Sequence, residues 1–426
     1  MAASLAGMGA ARDVMKKVLF TVGILAVFRL GSAVPIPGVN DTVVRQAFAQ
    51  GEIFGFLNLF SGGAFFAFSL FALGIMPYIN ASIIFQVLTP VVPRLEELSK
   101  EGSEGQKKIA EWTRYATVLL AILQSVGLTF VALTRIAPGG GAFTVPGVGE
   151  KILVVFCLTA GATFLMWLGE LINERGVGNG ISLIIFAGII ARLPEGIINL
   201  VKLVVVHALS IPAFLIVLIG AVAIIAFVVF MQEGERRVPV QYPKRVVGRR
   251  VYGGQTSYIP MKVNAAGVIP VIFAISILTL PLTVASYWNT PFMKTIAGLL
   301  AFGSPANLVL QFGLVLAFTF YYAAVVFKPD DVADNLRKQG GFIPGMRPGK
   351  PTAQYLERVA LHLTTVGAIF LALITVLPLG VVSLTHLQNL YFGGTSLLIV
   401  VGVGLDTLKQ VQAQMLMRQY QGFLRT

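Results

Sequence analysis

NLFSGGAFFAFSLFALGIMPYINASIIFQVLTPVV, running from Asn58 to Val92, is too long for one membrane helix and too interrupted for two. The hydrocarbon core of a bilayer is about 30 Å thick and takes roughly 20 apolar residues of helix to cross. Asn58 to Leu73 falls short of that length and carries Ser61, Gly62 and Gly63, whereas Ile75 to Val92 is long enough but contains Pro77, Asn80, Ser82 and Gln86. The pattern predicts a half-depth helix followed by a polar-spotted spanning helix. Backbone that turns round at membrane depth is tolerated only where protein or a water-filled cavity surrounds it, so this stretch implies a cavity inside a helix bundle.

Composition agrees. The 426 residues are 56% hydrophobic and only 12% charged, which describes a polytopic helical membrane protein with no sizeable soluble domain. Continuous apolar runs, rather than alternating ones, exclude an outer-membrane barrel. Met15-Lys16-Lys17 and the apolar run to Val34 mimic a secretory signal, but further crossings follow, so the segment reads as an uncleaved first span.

Besides Val18 to Val34 and the interrupted second segment, the candidate spans are Trp112 to Leu133, Ile152 to Leu171, Ile181 to Ala191, Ile211 to Met231, Asn264 to Ser286, Leu308 to Phe327, Leu356 to Leu377 and Thr395 to Ala413. That makes ten. The fifth is short, and Arg192, Pro194, Glu195 and Gly196 interrupt it before Ile197 to Val206 resumes; a separate crossing there would flip everything after it. Charge decides the parity. An inside N-terminus gathers most of the 32 Lys and Arg on the cytoplasmic side, including those of two basic loops at about 233–263 and 328–355, whereas an eleventh crossing would put both loops outside. Ten spans with both termini cytoplasmic divide into halves of five, residues 1–206 and 207–426. An odd number per half forces opposite orientations, the architecture of inverted repeats with a path near the midplane between them.

Ion-coupled transporters keep ionisable groups inside their spans. Here only Arg29, Glu170 and Asp406 fall within or at the ends of spans, where snorkelling or interhelical pairing accounts for them. Amides and hydroxyls are offered instead: Asn80, Ser82 and Gln86 on the second span, answered by Asn264 at the start of the seventh, a set suited to a wet seam between helices. His207, His362 and His386 have no ligand spacing, and Cys157 is the only cysteine, so neither a metal nor a cofactor site is implied. GVGNG at Gly176 to Gly180 follows no strand and reads as a helix break or close helix packing rather than a nucleotide loop. No nucleophile stands with a paired base, so the chain does not read as an enzyme. Ile75 and Ile79 are four apart, as are Ile181 and Ile185, so each pair shares a helix face. Stiff β-branched side chains could line a dewetted constriction, but by spacing alone lipid-facing packing is the simpler reading.

Nine ordered stretches carry a resemblance over nearly the whole chain: FRLGSAVPIPG at Phe28 to Gly38, NLFSGGA at Asn58 to Ala64, LGIMPYINASII at Leu73 to Ile84, EGQKKIAEWTRY at Glu104 to Tyr115, MWLGELINERGVGNGISLIIFAGI at Met166 to Ile189, GRRVYGGQ at Gly248 to Gln255, KVNAAGVIPVIFA at Lys262 to Ala274, ADNLRKQGGFIPGMRPG at Ala333 to Gly349 and YFGGTSLLIVVGV at Tyr391 to Val403. In this order they resemble the SecY family of protein-conducting channels. The resemblance implies an all-α polytopic fold of two inverted halves around an hourglass pore. Its pore ring would be Ile75, Ile79, Ile181, Ile185, Ile272 and Ile399. A plug of about Phe60 to Leu70, namely Phe60, Ser61, Gly62, Gly63, Ala64, Phe65, Phe66, Ala67, Phe68, Ser69 and Leu70, would seat against that ring from outside. The seam with Asn80, Ser82, Gln86 and Asn264 would be a lateral gate through which apolar segments and signal sequences reach membrane lipid; Asn80 stands where the family often has serine.

The resemblance further implies SecE and SecG subunits, the motor ATPase SecA and the ribosome as partners, an unfolded polypeptide as cargo, and a bacterial inner-membrane location. Arg249 and Arg250 in GRRVY and Arg347 in PGMRPG would dock the motor and the ribosome, although positive-inside charge alone would also account for basic loops there. Val, Arg and Tyr around Gly253-Gly254 suggest that Pro239 to Met261 forms a hairpin projecting into the cytoplasm. Two other classes share parts of the architecture. A secondary transporter would need a solute site and ion coupling, and an insertase without a sealed pore would have no plug.

Overall fold

The computed structural model describes residues 2–40, 43–44, 58, 60–133, 142–143, 147–207, 210–242, 245–247, 250–252, 256–287, 290–301, 304–385 and 394–424. Helices dominate: α1 (Ala2–Ser32), α2 (Met76–Leu88), α3 (Pro93–Lys100), α4 (Ser103–Val126), α5 (Val148–Arg175), α6 (Gly180–Val205) and α7 (Ile211–Glu233) precede a strand region. Then follow α8 (Ile269–Tyr287), α9 (Pro291–Leu299), α10 (Pro305–Val326), α11 (Pro329–Lys338), α12 (Lys350–Thr385) and α13 (Gly394–Leu424). The α-helical ladder of α4 loosens into a π-helical turn at Gly127–Ala132.

Among the described residues, seven helices are long and apolar enough to cross a membrane, or eight if α2 and α3 count as one span bent by 95°. By length and composition the expected ten is therefore not reached. The shortfall lies at the first, second and seventh segments, where charged or polar residues interrupt the apolar runs, as Lys16, Lys17 and Arg29 do in α1. The second segment keeps only the 13 residues of α2, because Pro93 starts a new, charged helix in another direction. The seventh opens in turns over 263–268, so its apolar helix is reduced to Ile269–Leu282. The interrupted fifth segment resolves the other way. Pro194 lies inside one continuous α6 of 26 residues, so Ile197 to Val206 is no separate crossing. At 1.5 Å per residue such a helix is about 39 Å long, ample for a single tilted span.

The half-depth segment is not a regular helix. Residues 61–75 form consecutive turns, because Gly62 (φ 65°), Gly63 (φ 95°), Phe68 (φ 42°) and Gly74 (φ 58°) take left-handed conformations that a helix cannot contain. Side chains replace the missing ladder: Phe66 N–H donates to Asn58 Oδ1 at 2.9 Å and Phe65 N–H to Ser61 Oγ at 3.0 Å. Val34 to Ile36 tie the segment down, with Leu70 N–H donating to the Val34 carbonyl at 3.0 Å and Ile36 N–H to the Phe68 carbonyl at 3.2 Å.

The helices of the first half, α1, α2, α4, α5 and α6, pack on one another, as do α7, α8, α10, α12 and α13 of the second. Between the two sets, α13 meets α1 and α6 on one side, while α8 meets α2 and the 127–132 turn on the other. The strand region projects from the end of α7. Strand β1 (Glu235–Gln241) pairs antiparallel with β4 (Thr256–Lys262), and β2 (Arg245–Val247) with β3 (Arg250–Tyr252). Val247 pairs with Arg250 across the β2–β3 ladder; Gly253-Gly254 lies outside the described residues.

Candidate functional site

Five of the six isoleucines expected to form a ring are buried in one apolar cluster: Ile75, Ile79, Ile185, Ile272 and Ile399; Ile181 packs against it partly buried. They come from α2 and its N-cap, α6, α8 and α13, elements drawn from both sets of helices. Burial explains the residue choice, since removing such a side chain from a polar surrounding is worth about 1.5–3 kcal/mol. A methyl group on Gly169 of α5 would lie 3.6 Å from Ile181 Cγ1 and 3.7 Å from Ile75 Cδ1, so the two isoleucines converge over a bare backbone.

The turn segment lies between this cluster and a second one. Phe60, Ala64 and Phe71 belong to the isoleucine cluster, whereas Phe65, Phe68 and Ala72 pack with Ile36, Phe143, Val154 and Leu158. Ser61, Gly62 and Ser69 are buried too, while Gly63, Phe66, Ala67 and Leu70 are half-buried. Three helices admit it by presenting glycines. A Cβ on Gly31 of α1 would collide with the Phe71 ring, one on Gly161 of α5 with the Leu70 carbonyl, and one on Gly188 of α6 would sit 3.2 Å from Gly62 N. The Phe71 ring stacks between Phe28 and Phe164, with both centroid separations 6.1 Å. Arg29 Nη1 donates to the Gly62 carbonyl at 2.8 Å, so this cation is bound to the segment's backbone, and among the described residues no acidic side chain is paired with it.

The polar seam differs from the one anticipated. α2 and α8 do pack together, yet no hydrogen bond among the described residues joins Asn264 to Asn80, Ser82 or Gln86. Asn264 Nδ2 donates to the Gly267 carbonyl at 3.1 Å, and Gln86 Nε2 donates to Ser82 Oγ at 3.2 Å. Buried Asn80 Oδ1 and Asn264 Oδ1 have no hydrogen-bond partner among the described residues. Buried amide oxygens left unpaired are costly. A third helix joins it: Tyr321 Oη of α10 donates to the Gln86 carbonyl at 2.6 Å. The span Leu308 to Phe327 was expected, but not its place at this seam. Its signal was Asn307, Gln311 and Thr319, all buried and all on one face with Val315 at intervals of four.

Ion pairs also join helices. Arg114 Nε meets Glu170 Oε1 at 2.7 Å across α4 and α5, and Lys409 meets Glu233 at 2.8 Å. No group of three or more metal-ligating side chains occurs among the described residues, and His386 lies outside them. GVGNG is a break and a close contact at once. Asn179 caps α6 by accepting from the Ile181 and Ser182 N–H groups, and any side chain on Gly180 would strike the Gly169 backbone.

On the hairpin face, Arg249 lies outside the described residues and Arg250 sits in β3. Arg347 is exposed in the turn between α11 and α12. The two basic loops, far apart in the chain, are one unit. Gln241 and Phe342 exchange N–H to carbonyl bonds of 2.9 and 3.0 Å, and Val238, Val240 and Met261 pack with Leu336, Ile343, Leu356 and Val359.

The sequence matches the SecY family profile over residues 69–408. It is 47% identical over 428 residues to the protein translocase subunit SecY of Streptomyces galbus and 46% identical over 435 residues to that of Streptomyces coelicolor, each alignment covering 97% of both chains. Among solved structures it is similar to a protein-conducting channel (TM-score 0.68, 18% identity, 94% of this chain and 93% of that one). It is similar also to a SecY protein whose plug domain stabilises the closed state of its translocation channel and maintains a membrane seal (TM-score 0.66, 18% identity, 94% and 92%). A third neighbour is Sec61 in a canine ribosome–channel complex (TM-score 0.61, 17% identity, 94% and 93%).

Proposed function

The chain belongs to the SecY family of protein translocase subunits, multi-pass membrane channels for protein, and from that membership we propose how its own residues conduct, seal and release a polypeptide. The observation that carries the reading is the convergence of six isoleucines from both sets of helices on one buried cluster, with Phe60 and Ala64 of the turn segment packed into it. Ile75, Ile79, Ile181, Ile185, Ile272 and Ile399 form the constriction. Branched aliphatic side chains close around an extended chain of any sequence without directional bonds that would hold one cargo over another. Phe60 to Leu70 is the plug, and it keeps ions out when no polypeptide is present.

Residues 1–206 and 207–426 act as two halves that part along the α2–α8 seam, the lateral gate, where Asn80, Ser82, Gln86 and Asn264 are joined by Tyr321 and the buried polar face of α10. An apolar cargo segment leaves sideways into lipid. At the centre of a helix each Leu or Ile favours insertion by about 0.3–0.6 kcal/mol and each charge opposes it by about 2.5–3.5 kcal/mol, so the sum over the segment decides its route.

The protein works in the bacterial inner membrane with both termini cytoplasmic, a placement supported by its Lys and Arg distribution. The joined basic loops, through Arg249, Arg250 and Arg347, dock SecA or the ribosome, and the likeness to a ribosome-bound Sec61 fits that role. SecE and SecG complete the membrane complex, and ATP hydrolysis belongs to the motor. The test is ion conductance of the purified complex in planar bilayers, with and without residues 60–70. A nearly silent intact channel and a conducting deletion support a plugged pore. Silence of both, with insertion demonstrated, overturns it.

A further inference from the structure

Arg29 stands near the C-terminal end of α1, in the apolar run from Val18 to Val34, and its side chain is exposed to the surroundings of the helix. No acidic side chain is paired with it among the described residues; it donates to the Gly62 carbonyl, at 2.8 Å. That carbonyl is available for a physical reason. The left-handed conformations of Gly62 and Gly63 take it out of any helical ladder and turn it towards α1. The same turn rests its Cα against Gly188 of α6, where a methyl on Gly62 would come within 2.8 Å of the Gly188 Cα. One glycine pair thus sets the depth of the segment, and one guanidinium holds its backbone at the neighbouring point.

Much of the segment's remaining docking is apolar or made by backbone, with the Arg192 side chain also beside Gly63, and it includes strain: Phe68 is fully buried at φ 42°, a conformation rarely adopted by a bulky residue. A seat made of packing alone would be lost gradually as the surrounding helices shift. A charge-assisted bond to a single carbonyl is different, because its strength depends on donor distance and angle and falls off within about an ångström. Outward movement of α1 relative to α6 by more than about an ångström, or withdrawal of the segment from Gly188, breaks it. The guanidinium then finds partners in interfacial water, so the released state is not penalised by a stranded charge.

We propose that Arg29 is the positioning residue that latches the plug in its closed seat, holding the Gly62 carbonyl against the Gly188 contact. This rests on reading Phe60 to Leu70 as the plug, and it assigns to a first-span arginine a part in setting how readily the channel opens. It also accounts for the guanidinium rather than an ammonium: several fixed donors let the bond persist through small rocking motions of α1, where a lysine would need one specific rotamer.

The experiment is steady ion conductance of the purified translocase complex in planar bilayers. It compares the intact chain, Arg29→Leu, Arg29→Lys, a deletion of residues 60–70, and Arg29→Leu within that deletion. Loss of a hydrogen bond to a charged donor is expected to raise the conductance of Arg29→Leu about tenfold or more over the intact channel. Arg29→Lys should fall between the two, and the combined variant should conduct as the deletion alone does. Arg29→Gln, a smaller change that keeps donors, carries the comparison if Arg29→Leu does not assemble, and should leak less than tenfold. A conducting deletion with a silent Arg29→Leu overturns the latch and leaves the plug standing. A silent deletion overturns the plug reading itself. An increase from Arg29→Leu of the same size within the deletion shows that Arg29 acts elsewhere, which also overturns the latch.

Discussion

Replacing Gly188 with valine tests whether the turn segment is held by close backbone approach to α6. A Cβ at position 188 would sit 3.2 Å from Gly62 N, 3.3 Å from Gly62 Cα and 3.3 Å from the Phe60 carbonyl oxygen, all tighter than ordinary contact. Valine adds two further methyl groups beyond that point, on a helix that cannot retreat because Ile184, Ile185 and Ile189 around it are buried. Over-packing of this kind costs about 1–3 kcal/mol, and the segment, built of turns, is the element free to yield. At about 1.4 kcal/mol per factor of ten, the displaced population rises about 5-fold to about 150-fold. The readout is the rate at which an imposed membrane potential decays across proteoliposomes containing equal amounts of complex. Gly220→Val on α7 is the matched control, since nothing lies within 4 Å of a Cβ there, and it should decay like the unchanged protein. Equal decay for Gly188→Val, Gly220→Val and the unchanged protein, with intact complex recovered in each case, would refute the reasoning that seat depth controls the seal.

Other outcomes follow from the same geometry. Arg347→Glu should abolish motor-driven export of a secretory precursor into vesicles while leaving the complex folded, and undiminished export would remove the docking role. Ile185→Ala empties a fully buried position and should lower the stability of the complex by about 2–5 kcal/mol, visible as a lower melting temperature, while Ile216→Ala, at a residue 70% exposed on α7, should cost far less. Equal losses at the two sites would contradict the burial assigned to the isoleucine cluster. Tyr321→Phe removes the hydroxyl that reaches the Gln86 carbonyl, a bond worth about 1 kcal/mol, and should shift a marginally apolar cargo segment about fivefold from secretion towards membrane insertion. An unchanged partition, measured by protease protection, would remove α10 from the gate.

The helical membrane class of the protein and most of its apolar spans were legible in the chain, because apolar length and the exclusion of charge depend on local composition alone. The segment from Asn58 to Leu73 was visible for the same reason, as an apolar stretch too short to cross, although it was expected as a helix and not as turns. The isoleucine pairs were visible only as spacing; that α2, α6, α8 and α13 bring them into one cluster depends on which helices meet, and no local pattern encodes that. Tertiary structure decided four further matters. It made α6 a single helix through Pro194, turned 61–75 into successive turns, drew Tyr321 and α10 into the seam, and joined the two basic loops through Gln241 and Phe342. Each depends on what a backbone finds beside it after folding. A proline stays within a helix where packing outweighs the lost bond, and a carbonyl such as that of Gly62 can leave its ladder because Arg29, 33 residues earlier in the chain, is there to receive it.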